Sequence, residues 1–477
     1  NAENWITIGA YGNESEPDPV LRASVTAAQM GQTWKKHSGS IYYVDGVSWY
    51  PNWALEGEKV PLVARSGTGD MSAGTSYYSS SQQRLYVWCS NGGHPDTQQV
   101  YIPTNDNHAT FEVWQGAKYI HVNNITVKHS RSHNFRANDD YVYFTDCLAD
   151  WAGGAGFYWF HNWPAPYGAD YGRAVRCTAR HGNVWTSQGF TIEGAYTWLY
   201  DCVAEFNYMA GIDFLDYSAN TNVHDSGAIR CITQKNGLRP NSYDANLYVD
   251  GGRDVWLIDC ISYDAGGDTD SWHPGIAVHN EHESVKQSKN IHIINCLSYG
   301  SKDSALDIGN FGSNKNIDYI YVYGSTFQRG PDGFRTLIIR ALDNAKFGID
   351  FRNNIVDGMG TPVIAWAPSY LADKYHGDNN VFYLGTGSGS SGKLFNTNST
   401  GDTGLAGWRS FTGEDKNSIE GNPLFVSDGS RFGGFFLSSK AAGHPADSPA
   451  RNCADESWHP IAEYDSIGTT CLTGASD

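Results

Sequence analysis

Apolar residues fall at every second position in short runs along the middle of the chain, and turn residues separate the runs. A period of two is the signature of a strand with one buried face. One set of runs ends on cysteine or its equivalent: Tyr143-Phe144-Thr145-Asp146-Cys147, Trp198-Leu199-Tyr200-Asp201-Cys202, Trp256-Leu257-Ile258-Asp259-Cys260 and Ile293-Ile294-Asn295-Cys296. Cys147, Cys177, Cys202, Cys231, Cys260 and Cys296 lie 30, 25, 29, 29 and 36 residues apart. The register extends back to Ile125 and forward to Ser325 and Asn354, a repeat of about 29 residues. A second run recurs in each repeat, among them Gly156-Phe157-Tyr158-Trp159, Gly211-Ile212-Asp213-Phe214, Gly275-Ile276-Ala277-Val278 and Ala305-Leu306-Asp307-Ile308. No ten-residue helical pattern interrupts them, so the pattern predicts a coil of short strands stacked on itself.

Composition sharpens this picture. Gly supplies 53 of 477 residues, which suits many tight turns. Aromatics make up 14% and charged residues only 18%, which argues against disorder. Thirty-three Lys and Arg against 51 Asp and Glu give a net charge of −18, which excludes nucleic acid as the main partner. No run of 18 apolar residues occurs, so no membrane insertion is expected. The opening Trp5-Ile6-Thr7-Ile8-Gly9 reads as a strand that starts inside a structural unit. Sparse Lys and abundant Asn, Ser, Thr, Tyr and Trp suggest a secreted protein, and a monomer is expected. The six spaced Cys read as small hydrophobes filling one layer of a narrow core, since no CxxC pair exists. Cys453 and Cys471, in a polar tail, are expected to form a disulfide.

The paired strand repeats, the opening Ile6-Thr7-Ile8-Gly9-Ala10-Tyr11-Gly12 and a closing segment carry a resemblance. The closing segment runs from Trp408-Arg409-Ser410 through Asn417-Ser418-Ile419 to Gly421-Asn422-Pro423-Leu424-Phe425. Together they resemble the right-handed parallel β-helix proteins of the pectate-lyase-like superfamily, mostly polysaccharide lyases, glycoside hydrolases, epimerases, esterases, tailspikes and adhesins. The resemblance implies an all-β, single-chain right-handed parallel β-helix of about 10–12 coils over residues 1–430, with regular coils over about 118–366. An irregular capping tail over 431–477 would follow. Fold does not fix function, so activity has to come from the site.

Outward positions of the second run form two rows. One reads Arg136, Tyr158, Thr191, Asp213, Tyr248, Ala277, Asp307, Ile338 and Ile364. The other, two residues on, reads Asn138, Phe160, Glu193, Leu215, Asp250, His279, Gly309, Arg340 and Trp366. Stacked coils sit about 4.8 Å apart, so neighbours in a row touch. Acids and a histidine concentrate in five adjacent coils, where like charges repel, shift each other's pKa or recruit a cation. Tyr158, Phe160, Trp163 and Trp272 are candidates for stacking on sugar rings, and Lys235 and Arg239 enter from a long insertion beside them.

Two chemistries fit a polysaccharide substrate. β-Elimination on a uronate polymer would use Asp213, Tyr248, Asp250, His279 and Arg340, with Asp307 on the substrate. Glu193, Asp213, Asp250 and Glu281 would hold Ca²⁺, an oxygen-seeking cation. Hydrolysis would instead use two carboxylates, Asp213 and Asp250 being the natural pair. A non-catalytic glycan-binding solenoid is the third expectation. The chain lacks the motif set of the polygalacturonases and the Asp-Pro-His of alginate epimerases. Glu281-His282-Glu283-Ser284, followed by Lys286 and Lys289, loosely resembles the alginate and chondroitin lyase family, where acids bind calcium before a catalytic Lys.

Overall fold

Strands of two to seven residues stack in three sheets of 11, 12 and 12 strands, parallel throughout except for the last strand of one, Gly401–Thr403. The computed structural model describes residues 5–452 apart from 11–17, 105–107, 162–167, 184–186, 218–220, 241, 267–271, 281–287, 310–316, 332, 341, 343, 361–363, 368, 386–393, 398–400, 427–435, 438–445 and 447. The chain folds as the parallel β-helix that the repeat implies. Each regular coil visits the sheets in turn. Val142–Thr145 lies in the first, Leu148–Ala152 in the middle one, and Phe157–Trp159 in the third, the site sheet. No described helix is long and apolar enough to cross a membrane.

The sequence pattern showed two strands per coil, and the structure has three. The middle strands are short and put small residues inward, such as Ala149, Ala179, Ala204, Thr233 and Ser262. They therefore carry little apolar signal. The corner before them is sharp. The residue ahead of the ladder position is left-handed in coil after coil, with φ of +52 to +53° at Asn124, Asp146, Arg176, Asp201, Arg230, Asp259 and Asn295. Asn and Asp tolerate that conformation best. The two arginines there bind the aspartate one coil earlier, Arg176 on Asp146 at 2.6 and 2.7 Å and Arg230 on Asp201 at 2.7 and 2.9 Å.

Behind this corner the six cysteines form the expected buried column, all free thiols. Beyond Cys296 the column turns polar and every rung bonds the next. The Cys296 N–H donates to Ser325 Oγ (3.0 Å), Ser325 N–H to Asn354 Oδ1 (2.9 Å), and Asn354 N–H to Asn380 Oδ1 (2.9 Å). Under the site sheet, Phe135, Phe157 and Phe190 stack face to face at 4.7 and 4.9 Å. At the far end the helix Leu405–Thr412 lays Trp408 over Phe395 at 4.6 Å and closes the core. Cys453, Cys471 and the last part of the tail lie outside the described residues.

One region has no counterpart in the repeat. Ile6–Gly9 pairs with Ile120–Asn123 and Val20–Arg22 with Thr126–Lys128, so both belong to the first coil. Between Val20–Arg22 and Phe111–Val113 the chain leaves the coil. From Ser24 to Pro103 it builds an eight-stranded, mostly antiparallel sheet with its own core, including Trp34, Val44, Leu85, Val87, Cys89 and Ile102. The insert docks on the middle sheet. Trp53 and Leu55 pack on Trp151, whose indole N–H donates to the Glu58 carbonyl at 3.0 Å. Glu58 also pairs with Arg22 (2.5 Å) and Lys128 (3.2 Å).

Candidate active site

The site sheet aligns the two outward rows as read, with one correction. Thr191, Asp213, Tyr248, Ala277, Asp307 and Ile338 stand in one column, and Leu215, Asp250 and His279 in the other. At the last coil Ile338 pairs with Ala365 and Leu337 with Ile364, so Ile364 and Trp366 fall one position out of the rows in which they were expected. Glycines lead into several of these strands where the next coil presses close. A Cβ on Gly275 would stand 2.1 Å from Ser298 Oγ, and one on Gly189 2.4 Å from the Gly211 carbonyl.

The rows come together at His279 and Asp307, both fully buried. Tyr243, in the turn before Leu247–Asp250, reaches over them. Its hydroxyl stands 2.9 Å from His279 Nε2 and donates to Asp307 Oδ2 at 3.1 Å. The Tyr243 ring stacks on the His279 ring at 4.8 Å, and Tyr248 meets both edge-on. Asp307 Oδ1 is 3.4 Å from His279 Nε2, and Asp307 Oδ2 accepts from Arg340 Nη2 at 2.9 Å. Burial pushes the Asp307 carboxyl up. The facing charge and hydrogen bond of His279, with Arg340 and Tyr243, outweigh it and hold the group below the usual carboxylate range.

Arg340 reaches Asp307 because Gly309 lies between them without a side chain. A Cβ there would sit 2.2 Å from Arg340 Cγ. Beside this group, Arg335 lies 5.5 Å over the ring of Trp272, which is 44% exposed, and 3.6 Å from Asp303. Burial and the neighbouring Asp307 charge push the Asp303 carboxyl up to about 6. Tyr243 and Trp272 are bridged in parallel register, so both aromatics border the same place on adjacent coils.

A second group lies toward the N-terminal coils. Tyr158 donates its hydroxyl to Glu193 Oε1, and the His161 N–H donates to Glu193 Oε2 at 3.1 Å. Burial drives the Glu193 carboxyl up to about 8, against both hydrogen bonds, and the Asp216 charge adds to the rise. Gln188 Nε2 donates to Asp213 Oδ2 at 2.6 Å. Phe160 packs edge-on to Tyr158 and under the Arg136 guanidinium at 4.1 Å.

The structure thus gathers His279, Asp307, Arg340, Tyr248 and Trp272 in one place, and Tyr158, Phe160 and Glu193 in another. Asp213 and Asp250 lie on adjacent coils in different columns: Asp213 is level with Tyr248, and Asp250 with His279. Lys235 does not join them. It sits in a left-handed corner column after the middle strand, with Nζ 5.8 Å over the Phe206 ring. Arg239 runs along the next corner, its N–H on the Tyr208 carbonyl. Lys289 belongs to the first sheet, over Tyr319. Trp163, Glu281, Glu283 and Lys286 lie outside the described residues. Among the described residues no three His, Cys, Asp or Glu side chains converge as metal ligands, so Glu193, Asp213 and Asp250 do not by themselves fit the Ca²⁺ expected of them. Tyr243 escaped the sequence reading. Its signal was its place in the insertion before residue 247, which was read for its cations.

No protein-family model and no curated protein matches the chain. Solved structures do. The A-module of a mannuronan C-5 epimerase from Azotobacter vinelandii aligns at 12% identity and a TM-score of 0.41, over 64% of this chain and 84% of that one. A pectate lyase aligns at 16% identity and 0.37, over 71% and 76%. The Dettilon tailspike protein aligns at 12% and 0.38, over 60% of this chain, which spans only 58% of the tailspike. These are likenesses of fold.

Proposed function

We propose that the chain cleaves an acidic, uronate-containing polysaccharide outside the cell by β-elimination. The observation that carries the reading is the Tyr243 hydroxyl held between His279 and Asp307, with Arg340 on the same carboxylate. Tyr243 and Arg340 are the half-buried members of a network whose His279 and Asp307 are buried, so they are the groups a substrate meets. Arg340 and Arg335 face the uronate carboxylate and offset the charge that builds when the C5 proton leaves. The Tyr243 proton moves to the Asp307 carboxylate, and the phenolate oxygen takes the proton from C5. The C–H electron pair forms the C4–C5 double bond, the C4–O4 bond breaks, and Tyr243 passes the proton it took from C5 to O4 and regains its own from Asp307. Trp272 offers a flat face to the neighbouring sugar. No step passes through calcium, because the described acids do not gather around one point.

A second reading is hydrolysis. It is favoured by Glu193, which keeps its proton at neutral pH as a general acid must, with Asp213 and Asp216 nearby. Uronate polymers incubated with the protein separate the two. β-Elimination gives a near-ultraviolet absorbance that Tyr243→Phe and His279→Ala abolish. Reducing ends without that absorbance, lost in Glu193→Gln and kept in Tyr243→Phe, would overturn the lyase reading in favour of hydrolysis.

A further inference from the structure

The seam between the insert and the solenoid is not fully closed. A cleft of about 520 Å³ runs between Tyr50, Asn52 and Val63 on the insert and Gly153, Asn183 and Tyr208 on the solenoid corners. That volume is in the range of small-molecule sites. Its chemistry differs from that of the candidate active site: none of the described residues lining it carries a charge. The nearest charge on the insert side, Arg65, stands in an adjoining recess of only about 50 Å³.

The walls are built and held. Tyr50 is 55% exposed, yet its ring is set edge-on against Tyr78 at 5.6 Å, and the Tyr78 hydroxyl is anchored on the Val47 carbonyl at 2.9 Å. Asn52 beside it takes φ +57°. On the facing side the Asn183 N–H is fixed on the Ala152 carbonyl (3.0 Å) and the Tyr208 N–H on Gly182 (2.9 Å). A pyranose ring without charge matches such a lining. Its C–H face lies on tyrosine and its hydroxyls bond the two amides.

One backbone hydrogen bond ties the rim of the cleft to the segment that leads to Tyr243. The Tyr208 carbonyl accepts from the Arg239 N–H at 2.8 Å, and the loop that starts there ends at Tyr243.

We infer that this cleft is a subsite for an uncharged hexose unit, and that the substrate is a heteropolysaccharide carrying neutral sugars as well as uronates. The substrate class rests on the uronate reading above; the cleft itself does not.

The test is gel retardation with two polymers: alginate, made of uronates alone, and gellan, which alternates glucuronate with glucose and rhamnose. Wild type should be held back by gellan. Tyr50→Ala should weaken that retention about fivefold to tenfold, the worth of one ring contact. Tyr50→Phe should keep it, and migration in alginate should not change. Tyr50 is exposed, so an unchanged melting temperature confirms the variant is folded. Equal gellan retention in wild type and Tyr50→Ala, no retention of wild type, or an equal loss in alginate would each overturn the subsite. If Tyr50→Ala loses gellan retention while neither polymer yields unsaturated product, the lyase reading falls and the subsite stands.

Discussion

The hydroxyl of Tyr243 stands 2.9 Å from Nε2 of His279, a residue 36 positions later and one coil further along the solenoid. That contact links a turn to a strand, and it places a phenol where only a buried imidazole and carboxylate would otherwise be. Tyr243→Phe keeps the ring that stacks on His279 and removes the hydroxyl. It should lower kcat at least 100-fold with KM and melting temperature little changed. A KM rise with unchanged kcat would instead assign Tyr243 to binding.

Gly309 gives a test that touches no reacting group. Gly309→Ala places a methyl where Arg340 crosses to Asp307. Turnover should fall about tenfold to 100-fold while the fold persists, because a small misplacement of a charge-neutralising group is costly. Normal turnover in this variant would mean that the Arg340–Asp307 pair is not needed.

Asp307 serves two buried partners, so the type of substitution matters. Asp307→Ala leaves His279 and Arg340 facing an empty site and should cost roughly 3–5 kcal/mol in chemical denaturation. Asp307→Asn keeps the shape and should lose turnover at a smaller cost in stability. Equal destabilisation by both would show that charge, and not the vacated space, dominates.

Glu193 predicts a pH dependence of stability. Its folded carboxyl titrates near 8 against an ordinary 4.5, so the folded state binds the proton more tightly. The stabilisation is complete below about pH 4.5 and is lost as pH rises through about 8. Wild type should therefore lose roughly a few kcal/mol across that window, and Glu193→Gln should flatten the loss. Parallel melting curves for the two proteins against pH would refute the shift.

The thiol column makes a simpler prediction. Cys231 is fully buried, so a thiol reagent should label it only after denaturant opens the core. Cys231→Ala should cost roughly 1–2 kcal/mol. Rapid labelling in the native state would contradict the packing.

The coil period was legible because ladder cysteines and alternating apolar runs repeat at fixed spacing, and both outward rows followed from that register. The register slips at the last coil, Ile364 for Ala365, and carries Trp366 with it. The middle strands were illegible because their inward positions are Ala, Ser and Thr. Residues 24–103 were opaque because an antiparallel sheet of unequal hairpins leaves no period. His279, Asp307 and Arg340 were within reach as neighbours in a row. Tyr243 was not, because a turn residue has no register until the coil on either side of it is in place.

The insert also sets an order of assembly. Coils past the second close on neighbours about 22–36 residues away, whereas Ile6 must find Ile120 across the whole insert. Closing a longer loop costs more entropy before any contact repays it, and distant pairings form slowly. The first coil is thus the one whose closure costs the most chain entropy. It closes only when the insert has brought its two ends together and the second coil offers an edge, so a truncation inside the insert would leave Ile6–Gly9 and Val20–Arg22 without the strands that hold them.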